Sequence, residues 1–286
     1  MRARTSVDAM PPTPEGPDTI VLIHGLWMTP LSWEKWIERF EARGYKVIAP
    51  SWPGFDEAPG ELRAHPESVK DTTVEEILDH YESVIRALDK PPILMGHSFG
   101  GSFVQLLIDR GLGAAGVGVA SAVVRGIRDL PLSTVRSTLG VLGNPLNARG
   151  KGVPITLKQF QYAFTNNLSE EESRPLFERY AAPAASKVLF AGALANVAPG
   201  TPFRVDFDAG DRAPLLFIGG TDDHVTPGKV VAKIAAKYEK SGNEAEYREF
   251  PGRTHNIVGQ EGWEEVADFA LDWAEKHARP VAAVPA

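Results

Sequence analysis

Six short strand-like runs punctuate the chain from Thr19 onwards: TIVLIHG, YKVIAP, PILMG, AGVGVAS, PLLFIGG and EYREFPG. Most are apolar almost throughout, and helix-like stretches separate them. Strands of this kind are buried on both faces, which implies a mostly parallel sheet covered by helices on both sides, an α/β fold. The helical stretches carry their own boundary signals. In MTPLSWEKWIERFEARG, Thr29 reads as N-cap, Pro30 as the first helical residue and Gly44 as the stop. Trp33, Ile37 and Phe40 fall on one face of that helix. Thr73 with Glu76 three residues on is a capping box for a helix whose buried side reads Ile77, Tyr81, Val84 and Leu88. Between YKVIAP and that helix, SWPGFDEAPGELRAHPESVKD reads as a loop. Further helices start near Phe99, Pro227 and Glu261.

The rhythm breaks between about Arg125 and Gly210. Here the chain offers helical pieces, TLKQFQYAFTN and SEEESRPLFERYA, the second opened by a capping box of Ser169 and Glu172. An insertion of this size between strands implies a helical cap over the carboxyl edge of the sheet, where open α/β folds bind ligands. The expected organisation is therefore a Pro-rich arm over residues 1–17, a core over 18–124 and 211–279, a cap over 125–210 and a tail over 280–286.

The bulk composition narrows the function classes. Lys and Arg number 30 against 37 Asp and Glu, a formal charge of -7, and the basic residues are scattered, so no nucleic-acid backbone is an expected partner. Cysteine is absent, which excludes disulfides, thiolate metal sites and a cysteine nucleophile. No run approaches the roughly 20 apolar residues of a membrane span. The opening MRARTSVDAMPPTPEGPD lacks the apolar run of a secretory signal, and a cytoplasmic protein is expected. No H-E-x-x-H, phosphate loop or dinucleotide glycine fingerprint occurs, so neither metal nor cofactor is expected. Whether the chain is a monomer or a homodimer is not legible.

Gly96-His97-Ser98-Phe99-Gly100 stands between a strand and a helix. In G-x-S-x-G a strand turns sharply into a helix, the serine adopts a strained conformation, and small neighbours leave the turn room. The hydroxyl is lifted into a cleft, and the N–H of Phe99 at the helix start faces any negative charge that develops there. Serine needs a base held by a third group. FIGGTDDHVTP supplies Asp222 and Asp223 after a strand, and FPGRTHNIVG supplies His255 after the last one. The carboxylate would orient the imidazole while the imidazole takes and returns the serine proton. Of the other histidines, His65, His80 and His277 sit in polar surroundings, His224 adjoins the acid, and His97 points to the opposite face of its strand from Ser98.

In this order of motifs the chain from about Asp18 to Arg279 resembles the α/β-hydrolase superfamily, in particular small capped esterases of the kind labelled non-haem chloroperoxidase or lysophospholipase. The resemblance implies Ser98, His255 and Asp223 as nucleophile, base and acid, because Asp223 stands four residues before Pro227 as in G-x-x-D-x-x-x-P. Asp222 and, more remotely, Asp129 are the alternatives for the acid. It also implies an oxyanion hole from the N–H groups of Leu26, in IHGLW, and Phe99, with His24 tying the loop. Trp27, Met28, Ala122 and Val123, with Phe160, Tyr162, Phe164 and Asn166 from the cap, are the expected pocket. The implied activity is hydrolysis of a small to medium hydrophobic ester or lactone. Perhydrolysis, acyl transfer, carbon–carbon bond hydrolysis, cyanohydrin cleavage and a non-catalytic receptor are the alternatives. Dehalogenase and epoxide-hydrolase chemistry is disfavoured, since resembling members carry aspartate at the position of Ser98. No strand-like run precedes Thr19, so the two N-terminal strands of the full fold are expected to be absent.

Overall fold

The computed structural model describes residues 15–69, 71–129, 132–134, 136, 143 and 152–280. Thr19–Ile23 (β1), Lys46–Ile48 (β2), Ile93–His97 (β3) and Ala115–Val119 (β4) join Leu215–Gly220 (β7) and Ala245–Phe250 (β8) in a six-stranded sheet of order β2-β1-β3-β4-β7-β8. Every pairing in it is parallel. Parallel neighbours require crossovers, and the described helices supply them: Glu34–Ala42 (α1), Val74–Arg86 (α3), Phe99–Asp109 (α4) and Gly228–Lys240 (α8). The strand order reverses between β1 and β3, so the carboxyl ends of those two strands flank the crevice in which open α/β sheets place their ligands.

The period-two alternation of a strand divides the core into two layers. Val21, Ile23 and Leu94 face Phe103, Tyr81 and Ile234 on one side. Ile20, Leu22, Ile93 and Met95 face Trp33, Trp36, Phe40 and Leu271 on the other, the last from Trp263–His277 (α9). No described helix is long and apolar enough to cross a membrane.

Several local expectations shift in register. Thr29 does cap, but it opens a 3-10 turn, Pro30–Trp33, before α1 begins. The buried face of α1 carries Trp36 and Phe40, with Ile37 at its margin. In α3 the buried residues are Val74, Ile77, Leu78, Tyr81 and Ile85, while Val84 and Leu88 lie at the edge of the face. The apolar stripe is thus centred a fraction of a turn from the expected one. The loop after β2 contains a short helix, Pro59–Ala64 (α2), opened by proline at its first position.

In the stretch between Arg125 and Gly210, Leu157–Phe164 (α5), Glu170–Tyr180 (α6) and Ser186–Ala193 (α7) are helical, the first two opened by capping boxes. A two-stranded antiparallel ribbon, Gly152–Val153 (β5) with Ala184–Ala185 (β6), accompanies them where only helical pieces were expected. Strands of two residues are too short to show periodicity. Trp27 pins this ribbon to the turn after β1: its Nε1 donates to the Val153 carbonyl at 3.1 Å, and its own carbonyl accepts from Ala182 N at 2.9 Å. The expected arm over 1–17 and the tail over 280–286 lie almost wholly outside the described residues.

Candidate active site

Ser98 sits between β3 and α4 with φ 55° and ψ -118°. Backbone in that region costs on the order of 1–3 kcal/mol and persists only where its surroundings hold it. Here the Ser98 N–H donates to the Val119 carbonyl at 3.0 Å, and the Ser98 carbonyl accepts from Ala122 N at 2.9 Å, so the end of β4 clamps the turn. A Cβ on Gly96 would collide with the Gly100 carbonyl, which is the steric reason for a glycine two residues before the serine. Among the described residues the other non-glycine positions with positive φ are Trp27 and Ala120, at 60° and 46°. Ala120 follows the Val119 that holds the Ser98 N–H, and Trp27 lies two residues after Gly25, which approaches Ser98, so among the described residues the positive-φ non-glycine backbone gathers around this turn.

His255, in the loop after β8, is fully buried beside it. Its Nε2 lies 3.0 Å from Ser98 Oγ and its Nδ1 lies 2.7 Å from Asp223 Oδ2. An ionised carboxylate can only accept, so Nδ1 carries the proton and Nε2 offers its lone pair to the serine hydroxyl. Asp223 is buried, which raises its pKa, but the His255 ring and the N–H groups of Thr226 and Val225 outweigh burial and hold the carboxyl below the usual carboxylate range. Those N–H groups reach Oδ1 at 2.8 and 2.7 Å.

The neighbouring candidates are engaged elsewhere. The Asp222 carboxylate accepts from the Thr221 hydroxyl at 2.7 Å and lies at the exposed rim. Asp129 pairs with Lys233. His97 Nε2 donates to the main-chain carbonyl of His255 at 2.8 Å, and burial and the adjacent His255 push its pKa down to about 3, so it is neutral. His24 donates from Nδ1 to the Gly25 carbonyl at 3.0 Å and accepts the Trp52 N–H at Nε2, 3.3 Å away. Burial pushes it down to about 4, and its ring stacks on Trp52.

The turn carrying Leu26 approaches the serine turn through Gly25. A Cβ there would stand 2.9 Å from the Ser98 Cβ and 3.0 Å from the His97 carbonyl, closer than packed atoms tolerate. Phe99 opens α4, and its N–H is one of the first-turn donors that a helix leaves without an intrahelical acceptor.

Of the expected pocket residues, Trp27 and Met28 are buried next to this turn, as is Leu26, the expected oxyanion donor, and Ala122 and Val123 are half-buried after β4. From α5, Phe164 is brought to the site: its ring meets the His255 ring edge-on at 5.1 Å. Its carbonyl also accepts from Asn256 N at 3.0 Å and from the Thr254 hydroxyl at 2.7 Å. Phe160 stacks behind Phe164 at 4.9 Å and belongs to the core of the α5–α6 pair. Tyr162 turns the other way, onto the His224 ring at 4.7 Å, with Arg136 over its face. Asn166 reaches the Asp222 carbonyl at 3.0 Å. An open groove of about 700 Å³, lined by Asn166, Asp222, His224, Lys229 and Glu249, runs up to Asp223 from outside. Ser98 itself is 5% exposed.

Two neighbours escaped the sequence reading. Phe203 packs edge-on against Phe99 at 5.7 Å and stacks on Phe103, from far along the chain and with no motif around it. Thr226 stands beside Asp223, where a polar residue three positions after a carboxylate and just before Pro227 was a signal in plain view.

Fold and motif order agree with a comparison of sequence profiles, in which the alpha/beta hydrolase family matches residues 20–269. The chain belongs to that family. No curated protein matches in sequence. Solved structures do. A monoacylglycerol lipase from Paleococcus ferrophilus is 22% identical with a TM-score of 0.62, covering 92% of this chain and 96% of the lipase. A pyrethroid hydrolase from Sphingobium faniae JZ-2 is 20% identical at 0.61, covering 90% and 98%. Polyneuridine aldehyde esterase is 18% identical at 0.60, covering 90% and 99%. At such identities the likeness is one of fold.

Proposed function

We propose that the protein is a serine hydrolase that cleaves a carboxylic ester or lactone of a small to medium hydrophobic substrate through an acyl-enzyme. The observation that carries this reading is the unbroken hydrogen-bonded chain from Ser98 Oγ through the His255 ring to Asp223, at 3.0 and 2.7 Å, starting from a strained turn. Ser98 attacks the substrate carbonyl while its proton passes to His255 Nε2. Asp223 holds the imidazole in that tautomer and stabilises the imidazolium. The N–H groups of Leu26 and Phe99 receive the oxyanion. The imidazolium then protonates the leaving alkoxide, and water repeats the sequence on the acyl-enzyme, with His255 as base, to release the acid and restore Ser98.

Residues 125–210 act as the cap, with Phe164 closing over His255 and Trp27, Met28, Ala122 and Val123 bordering the acyl group. Rings and aliphatic groups around the nucleophile favour an apolar substrate and exclude water from the oxyanion site. That three similar structures are named lipase, hydrolase and esterase supports ester cleavage over the other chemistries of this triad.

The test is hydrolysis of p-nitrophenyl esters from acetate to decanoate by the protein and by Ser98→Ala. Turnover should fall by on the order of 10⁴ or more in the variant, with the thermal unfolding midpoint unchanged to within a few degrees. Turnover that survives the substitution would dismiss the acyl-enzyme.

A further inference from the structure

We propose that Thr226 is a positioning residue whose hydroxyl, by donating to Asp223 Oδ2, sets how firmly the carboxylate holds His255. The argument is an inventory of lone pairs. An ionised carboxylate offers about four acceptor sites. Oδ1 of Asp223 takes the N–H of Val225 at 2.7 Å and of Thr226 at 2.8 Å. Oδ2 takes His255 Nδ1–H at 2.7 Å, and Thr226 Oγ1, 3.1 Å away, fills the remaining site.

The hydroxyl has one proton and a second acceptor in reach, the Ala120 carbonyl at 2.8 Å. If the proton pointed there, an oxygen lone pair would face a buried anion at 3.1 Å. A hydrogen bond to an ionised acceptor is also roughly twice as strong as one between neutral groups. The charge of Asp223 therefore draws the proton to Oδ2.

This has a consequence for His255. A second donor on Oδ2 spreads the carboxylate charge and weakens its attraction for the protonated ring. Removing that donor strengthens the attraction and favours the protonated ring, so a base that must be neutral is lost at a higher pH than before. The other groups facing His255 leave this assignment to Asp223 and Thr226. His97, from the end of β3, is neutral, with His24 neutral behind it, and Phe164, from α5, is uncharged.

The kinetic half of the proposal rests on the hydrolase reading, so the test has two readouts. One is the titration of the His255 ring in the free protein, followed by NMR. The other is the acid limb of kcat/KM with a p-nitrophenyl ester. Thr226→Val should move both upward by about 0.5–1 pH unit, the scale on which a single hydrogen bond acts. Thr226→Ser should return both to the wild-type positions. Thr226→Ala, which deletes the hydroxyl without adding a methyl in its place, repeats the comparison should the valine variant fail to fold. A His255 midpoint that stays in place in the variants lacking the hydroxyl, or that serine does not restore, overturns the proposal. A midpoint that moves down overturns it too, since it would mean that the hydroxyl oxygen, 3.4 Å from His255 Nδ1, favours the protonated ring instead of weakening its hold. A midpoint that moves up in a protein without ester turnover supports the role of Thr226 and removes the hydrolase reading alone.

Discussion

Replacing Asp223 by asparagine changes one atom, and the structure dictates which way the new amide must face. Val225 N and Thr226 N both donate to Oδ1, so the asparagine oxygen has to stay there and its NH₂ must take the place of Oδ2. That NH₂ then points at His255 Nδ1, 2.7 Å from the original oxygen. Two donors cannot share one line, so the ring shifts its proton to Nε2 and presents an N–H to Ser98 Oγ, where a lone pair is needed. A base in the wrong tautomer costs on the order of 10⁴ in kcat, equivalent to about 5 kcal/mol of transition-state stabilisation. The assay is kcat and KM for a p-nitrophenyl ester, with circular dichroism to check the fold. Asp222→Asn is the control. Its carboxylate meets only the Thr221 hydroxyl among the hydrogen bonds described, and the change should alter kcat less than about threefold. A loss below tenfold in Asp223→Asn, or a larger loss in Asp222→Asn, would refute the reasoning.

The buried histidines predict acid sensitivity of the fold. His24 and His97 are pushed down to about 4 and about 3, so between those values and the unfolded value near 6.5 the unfolded chain binds protons that the native one refuses. Stability therefore rises with pH across that window, and it falls by about 1.4 kcal/mol per pH unit for each histidine as pH drops below roughly 6.5. Urea unfolding at pH 7 and pH 5 measures it. His97→Asn should flatten the slope by about one proton, and an unchanged slope would show that His97 is charged in the folded state. Asp223 acts in the same direction at lower pH: its lowered pKa contributes stability that is fully present above the unfolded carboxyl value near 3.9 and is lost as pH falls through the folded value. Gly25→Ala should push the Leu26 turn off the serine turn by a few tenths of an ångström and lower kcat by about 10²-fold with little change in KM. Equal activity in the alanine variant would mean that this turn takes no part in the chemistry.

The fold class and the family were legible in short stretches of chain. The β-branched runs and the capping boxes at Thr73 and Ser169 act over three or four residues, which is the range of a pattern read by eye. The serine turn was legible for the same reason, since Gly96 is required by the Gly100 carbonyl four residues away. Trp36 and Leu78 were missed as core residues because the orientation of a helix face depends on what it meets, here the sheet, which no window along the helix contains.

What the sequence by itself determined, then, is everything whose cause is local: the order of strands and helices, their caps, and a serine placed where backbone strain would lift it. The tertiary structure decided what depends on distance. Asp222 and Asp223 are neighbours of identical chemistry, and only the closure of the loop after β7 onto the loop after β8 turns one to His255 and the other to the rim. The partnering of Phe99 with Phe203 and of Phe164 with His255 arises in the same way. Such contacts are made between segments that the chain brings together only after the sheet has formed, so no run of residues carries their signal.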